Sequence, residues 1–126
     1  MIPHVSIRIP RAEQQRYLRG GCFVFAHELR RYVRRETGRM LVPHALWVDG
    51  RPEHAFLVDR EIECAYDARG RLPLDVSVLG AGALLASAGE IGPITTTQMR
   101  RWACHMDPHN ARLDISRYVG IMYEEE

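Results

Sequence analysis

The sequence predicts an α+β fold, with an N-terminal helix packed on a small antiparallel sheet and further short helices near the C-terminus. Three observations carry this. One amphipathic helical run, Cys22 to about Glu36, comes early in the chain. Short strand-like runs separated by turn residues follow it, from Met40 to Leu79. These runs cluster instead of alternating with helices, which favours an antiparallel meander over βαβ units. At 126 residues the chain is the size of one domain, 1–126, with no stretch that reads as a linker.

Each element has its own signal. Val5, Ile7 and Ile9 alternate on one face of a short strand that Pro10 stops. Residues 11–19 form a polar helix, and Gly20-Gly21 breaks the chain before Cys22. Cys22, Phe25, Ala26, Leu29 and Val33 then make the apolar stripe of the main helix, which Thr37-Gly38-Arg39 ends. Strands are expected from Met40 to Val48 and from Glu53 to Val58, with Asp49-Gly50-Arg51-Pro52 as the turn between them. Asp59-Arg60 is read as a two-residue turn into a strand Glu61–Tyr66, which Asp67-Ala68-Arg69-Gly70 closes. Leu72–Leu79 adds a further strand, while Ala81–Glu90 and Thr95–Met106 read as short helices. Asp107-Pro108-His109-Asn110 breaks the second of these, and residues 111–123 carry no clear period.

Composition excludes several classes. No apolar run reaches the roughly 18 residues of a membrane span, and Met1 to Arg8 hold no leader-like apolar stretch. The 3 cysteines form no CxxC pair, so neither a disulfide framework nor a zinc ribbon is expected. A cytoplasmic protein with reduced thiols follows. All 17 basic residues are arginine, the bias of a GC-rich genome, against 16 acids. Residues 1–39 hold 9 of those arginines and only 3 acids.

Cys22 is the strongest nucleophile candidate. A helix N-terminus favours a thiolate through its free N–H groups and dipole, and Gly20-Gly21 leaves room beside the sulfur. The plain alternative is a small apolar residue opening the helix's buried stripe. A thiol nucleophile needs a base, and the base an orienting acceptor. A two-residue turn at Asp59-Arg60 sets 58 opposite 61 and 54 opposite 65, which puts His54 and Asp67 on one sheet face. A one-residue slip would separate them. The segments Pro43–Asp49 and Glu53–Asp59 are near repeats, so His44 with Asp59 is a rival pair. A metal site from Cys22, His44 and His54 fits no close ligand spacing.

Gly20-Gly21-Cys22-Phe23 opening a helix, then His54-Ala55-Phe56-Leu57-Val58, then Tyr66-Asp67-Ala68-x-Gly70, resembles the compact transglutaminase-like branch of the papain-fold cysteine enzymes. The resemblance covers residues 20–70. It implies a nucleophile at Cys22, a base at His54 and an orienting carboxylate at Asp67. It also implies an amide side chain shortly before the cysteine as an oxyanion donor, for which Gln15 and its neighbour Gln14 stand in place. The implied chemistry is acyl transfer from an amide of a protein or peptide substrate, by hydrolysis or transamidation. No metal or organic cofactor is needed for it.

The arginines support a function of another class. Arg30, Arg31, Arg34 and Arg35 form one helix face suited to an acidic protein partner. A near-neutral chain without interleaved aromatic residues argues against nucleic acid. The alternative reading is therefore a non-catalytic binding or inhibitory protein, of the kind small effectors and mobile elements encode.

Overall fold

The computed structural model describes residues 2–18, 21–82, 89–106 and 114–124. The chain opens with β1 (Ile2–Ile7), α1 (Arg11–Leu18) and α2 (Cys22–Thr37). Pro10 separates the first two, and its carbonyl accepts from Glu13 N–H at 2.8 Å and Gln14 N–H at 3.1 Å to start α1. The stripe Cys22, Phe25, Ala26, Leu29 and Val33 is buried along its whole length, as a 3.6-residue period requires. α2 ends at Gly38, whose φ of 75° is left-handed and whose N–H donates to the Arg34 carbonyl at 2.8 Å.

Then come β2 (Val42–Val48), β3 (Arg51–Asp59), β4 (Cys64–Asp67), β5 (Gly70–Pro73), α3 (Val76–Gly82), β6 (Glu90–Pro93) and α4 (Thr96–Met106). A 3-10 turn at Ile115–Arg117 leads into β7 (Val119–Glu124). The main sheet is antiparallel in the order β5-β4-β3-β2-β6, and β1 pairs with β7 in a separate ribbon. One face of the sheet, with Ala45, Ala55, Leu57, Cys64 and Tyr66, shares a core with α2. Leu46, Phe56, Val58 and Ala65 on the other face pack with Leu79 of α3. α4 is held by Trp102, which meets Phe23 of α2 edge-on at 5.4 Å and Trp47 of β2 at 6.1 Å. The α+β class and the antiparallel sheet under α2 are as the sequence predicts. Among the described residues no helix is long and apolar enough to cross a membrane.

Three expectations need correction. The turn after Asp59 is longer than two residues: Asp59 ends β3 opposite Cys64 and accepts Glu61 N–H on its Oδ1 at 3.0 Å to open a turn over residues 60–63, so Val58 lies opposite Ala65. The same carboxylate also holds the Arg39 guanidinium at 2.8 Å. The alternation in Leu72–Leu79 does not continue as strand, because Asp75 starts α3 by accepting Val78 N–H on its side chain at 3.1 Å. Within the expected helix Ala81–Glu90, Glu90 belongs to β6 beside Trp47, and residues 83–88 lie outside the described ones. Gly89 makes that pairing possible, since a Cβ there would meet the Trp47 carbonyl oxygen at 2.5 Å. The expected break at 107–110 also lies outside the described residues.

Candidate active site

Cys22 is placed by the junction of α1 and α2. Gly21 N–H donates to the Arg16 carbonyl at 2.9 Å. A Cβ at Gly21 would lie 2.8 Å from that oxygen and 3.1 Å from Tyr17 Cδ1, so a larger residue would push α1 away. Gly21, the N-cap of α2, brings no side chain to cap it. Cys22 is 2% exposed, and its Sγ accepts a hydrogen bond from the Ala55 N–H of β3 at 3.4 Å.

His54 enters from β3. The β3–β4 ladder ends at Leu57 opposite Tyr66, so His54 lies past its end, opposite Leu46 of β2 and 6.0 Å from the Phe56 ring. Past the same end, Asp67 turns the chain from β4 into β5. Its Oδ2 lies 2.9 Å from His54 Nε2, and both residues are buried. An ionised carboxylate only accepts, so Nε2 carries the donated proton. The turn Ala68–Arg69, closed by Gly70 at φ 110°, then folds Arg69 back over Asp67. Arg69 donates its backbone N–H to Oδ1 at 2.8 Å and Nη2 to Oδ2 at 2.6 Å. Its Nη1 donates to the Val78 carbonyl of α3 at 2.8 Å. Asp67 is thus both a turn residue and the partner of His54.

The electrostatics follow from this packing. Burial alone would lower the pKa of His54, but the Asp67 hydrogen bond and the Cys22 sulfur outweigh it and raise it to about 9. Burial acts to raise the pKa of Asp67, yet His54 and Arg69 together hold it below its ordinary value. His54 Nδ1, the nitrogen not used by Asp67, is buried without a hydrogen-bond partner among the described residues. The sulfur therefore acts on the ring's charge without meeting hydrogen-bond geometry at Nδ1. The Asp67 carboxylate thus meets His54 Nε2, and the Cys22 sulfur meets the backbone amide of the next residue, Ala55.

The rival pair is not assembled. His44 sits opposite Phe56 with Nδ1 3.0 Å from the Val42 carbonyl, and Asp59 is held by Arg39. Gln15 is exposed on α1, whereas Cys22 is buried; half-buried Gln14 donates its amide to the Ile9 carbonyl at 3.2 Å. Cys64 is buried on the α2 side of the sheet, and burial raises its thiol pKa. The side chains of Cys104, His105 and His109 lie outside the described residues. Among the described residues no three His, Cys, Asp or Glu side chains are grouped to hold a metal ion.

Two participants escaped the sequence. Arg69 carried a signal, as a cation two residues after an acid in a tight turn, but it read only as turn chemistry. The Ala55 N–H carried none, because a backbone amide has no sequence signature. No family model matches the chain, and no curated protein or solved structure matches it either.

Proposed function

We propose that the protein is a cysteine-dependent acyl-transfer enzyme of the papain-like, compact transglutaminase-like type. The observation that carries this is the His54–Asp67 contact at 2.9 Å, with the Cys22 sulfur on the adjoining Ala55 N–H at 3.4 Å. Cys22 Sγ attacks the carbonyl carbon of a protein or peptide amide and forms a C–S bond. Protonated His54 gives its proton to the leaving amine as the C–N bond breaks. Water or a second amine then attacks the thioester and gives a proton to His54, and the C–S bond breaks to restore the thiolate. Asp67 fixes the ring through Nε2, and Arg69 keeps Asp67 ionised and aimed. Cys22 at 2% exposure and His54 at 0% require a local opening before substrate reaches the sulfur.

That burial is also what supports a second reading, a non-catalytic binding protein in which Cys22, His54, Asp67 and Arg69 hold the fold together. Timed iodoacetamide labelling read by mass spectrometry separates the two. The enzyme reading expects Cys22 to label faster than Cys64, and Asp67→Asn or His54→Gln to slow Cys22 alone. Equal, slow labelling of both thiols in the folded protein would overturn it. A screen of peptide and isopeptide amides with wild type and Cys22→Ala then tests turnover directly.

A further inference from the structure

The C-terminal half of α2 carries Arg30, Arg31, Arg34 and Arg35, a spacing that stacks them on adjacent turns. The four guanidinium groups line one groove. Arg31, Arg34 and Arg35 are exposed and Arg30 is half-buried. Nearby acids answer only part of this charge. Glu28 lies 3.5 Å from Arg31, and Glu36 lies 3.4 Å from Arg35. Among the described residues no acid pairs with Arg30 or Arg34. Arg30 Nε is buried with no acceptor, and His27 Nδ1, one turn earlier, is buried without a partner too. Burial first, then Arg34, lowers the pKa of Arg30; burial, then Arg31, Arg100 of α4 and Arg30, lowers that of His27. Like charges crowded beside an unsatisfied guanidinium nitrogen make a surface that an anion would complete.

We propose that this groove docks a carboxylate-rich segment of another protein, with acidic side chains engaging Arg30 and Arg34 in bidentate pairs. Two observations favour carboxylates on a protein over a phosphate backbone. The adjoining groove is lined by Glu28 and Asp114 as well as Arg31 and Arg35, a mixed edge that would repel a continuous polyanion but suits a protein surface with a basic residue beside its acids. Tyr32, the aromatic residue at that edge, is already covered by the Arg35 guanidinium at 5.5 Å and offers no face for a base to stack on. The groove lies on the exposed side of α2, away from the stripe that buries Cys22, so docking does not depend on acyl transfer.

The test is fluorescence anisotropy with a labelled helical peptide whose glutamates are spaced i, i+1, i+4 and i+5 with a flanking lysine. Binding is expected at low salt and should weaken as salt rises. The double reversal Arg30→Glu with Arg34→Glu should weaken it about tenfold or more. Arg8→Glu with Arg11→Glu should leave it unchanged, and so should Cys22→Ala. Arg30→Gln with Arg34→Gln replaces the reversal if circular dichroism shows that the glutamates unfold α2. The proposal fails if the acidic peptide does not bind, or if a charge-swapped peptide binds as well. Tighter binding of a short DNA duplex would also overturn it.

Discussion

Two strands of the same sheet carry nearly the same sequence, and only one of them builds a site. Pro43-His44-Ala45-Leu46-Trp47-Val48-Asp49 makes most of β2 and enters its turn, and Glu53-His54-Ala55-Phe56-Leu57-Val58-Asp59 makes most of β3. The alanines at 45 and 55 pair with each other and both point to α2. The histidines differ entirely. His44 lies inside the sheet, between Phe56 on one side and Pro93 on the other, and satisfies itself on the Val42 carbonyl. His54 lies past the end of a ladder, where the turn after β4 brings Asp67 to it and Cys22 reaches the next backbone amide. His54 gains a charged partner because the β3–β4 ladder stops short of it and the turn that follows β4 carries Asp67 to its ring.

The sharpest way to break this comparison is to remove each ring in turn. His54→Gln should slow acyl transfer or Cys22 alkylation by about 10²–10⁴-fold, the usual worth of a positioned acid–base group. His44→Gln should change the rate less than about twofold, since its ring contacts the Val42 carbonyl and stacks near Phe56, away from Asp67 and Cys22. Equal losses in both, measured with thermal melts to confirm folding, would mean that the repeat is functionally symmetric.

How the sequence led to this pair shows what is legible in it. The pairing of His54 with Asp67 rests on parity, not on the exact loop. A two-residue turn sets Val58 opposite Glu61, and the structure sets it opposite Ala65, a displacement of four residues that leaves both side chains on one face. The length of the loop was not legible: Asp59 does form a turn, accepting Glu61 N–H at 3.0 Å, but it does so from the end of β3, where Arg39, twenty residues earlier in the chain, also holds it. The same applies to α3, where alternating Leu72, Leu74, Val76 and Val78 imitate a strand and a single cap at Asp75 decides otherwise. Local period is written in sequence; the partner that redirects a polar residue is not.

The second contrast lies between the aspartates these two loops release. Asp67→Ala leaves a buried imidazole and a guanidinium without their shared carboxylate and should cost about 3–5 kcal/mol of stability. Asp59→Ala removes a partner of Arg39, which is partly exposed and keeps Glu61 at 3.2 Å, so about 1–3 kcal/mol is expected. Urea midpoints of the two variants at neutral pH check the order. A smaller loss at Asp67 than at Asp59 would mean that the buried cluster is not under load.

pH should act on the buried His54–Asp67 pair. His54 has a raised pKa in the fold, so its contribution is complete below its ordinary value near 6.5 and is lost as pH rises through about 9. Asp67 has a lowered one, so its contribution is complete above about 4 and fades as pH falls below that. The stability advantage of wild type over His54→Gln should therefore be greatest between about pH 4 and 6.5. It should shrink steadily as pH rises through about 9. Chemical denaturation at stepped pH gives the curve.

The smallest effect, and the finest test of the comparison, is at the aspartate that closes the first repeat. Asp49 is aligned with Asp59, yet it occupies the first position of the two-residue turn between β2 and β3, with φ 51° followed by Gly50 at φ 75°. Both angles are left-handed, as a type I′ hairpin turn demands, and this matches the right-handed twist of the strands. Position 49 is thus chosen for its backbone and position 59 for its carboxylate. Asparagine tolerates the left-handed region as well as aspartate does, so Asp49→Asn should shift stability by no more than about 0.5 kcal/mol. A β-branched residue does not, and Asp49→Val should cost about 1–2 kcal/mol although it deletes no ion pair among the described residues. At position 59 the same two changes should rank differently, with Asn already losing much of the Arg39 pair. If Asp49→Asn costs as much as Asp59→Asn in urea melts, the carboxylate matters at both ends and the two repeats are more alike than their backbones show.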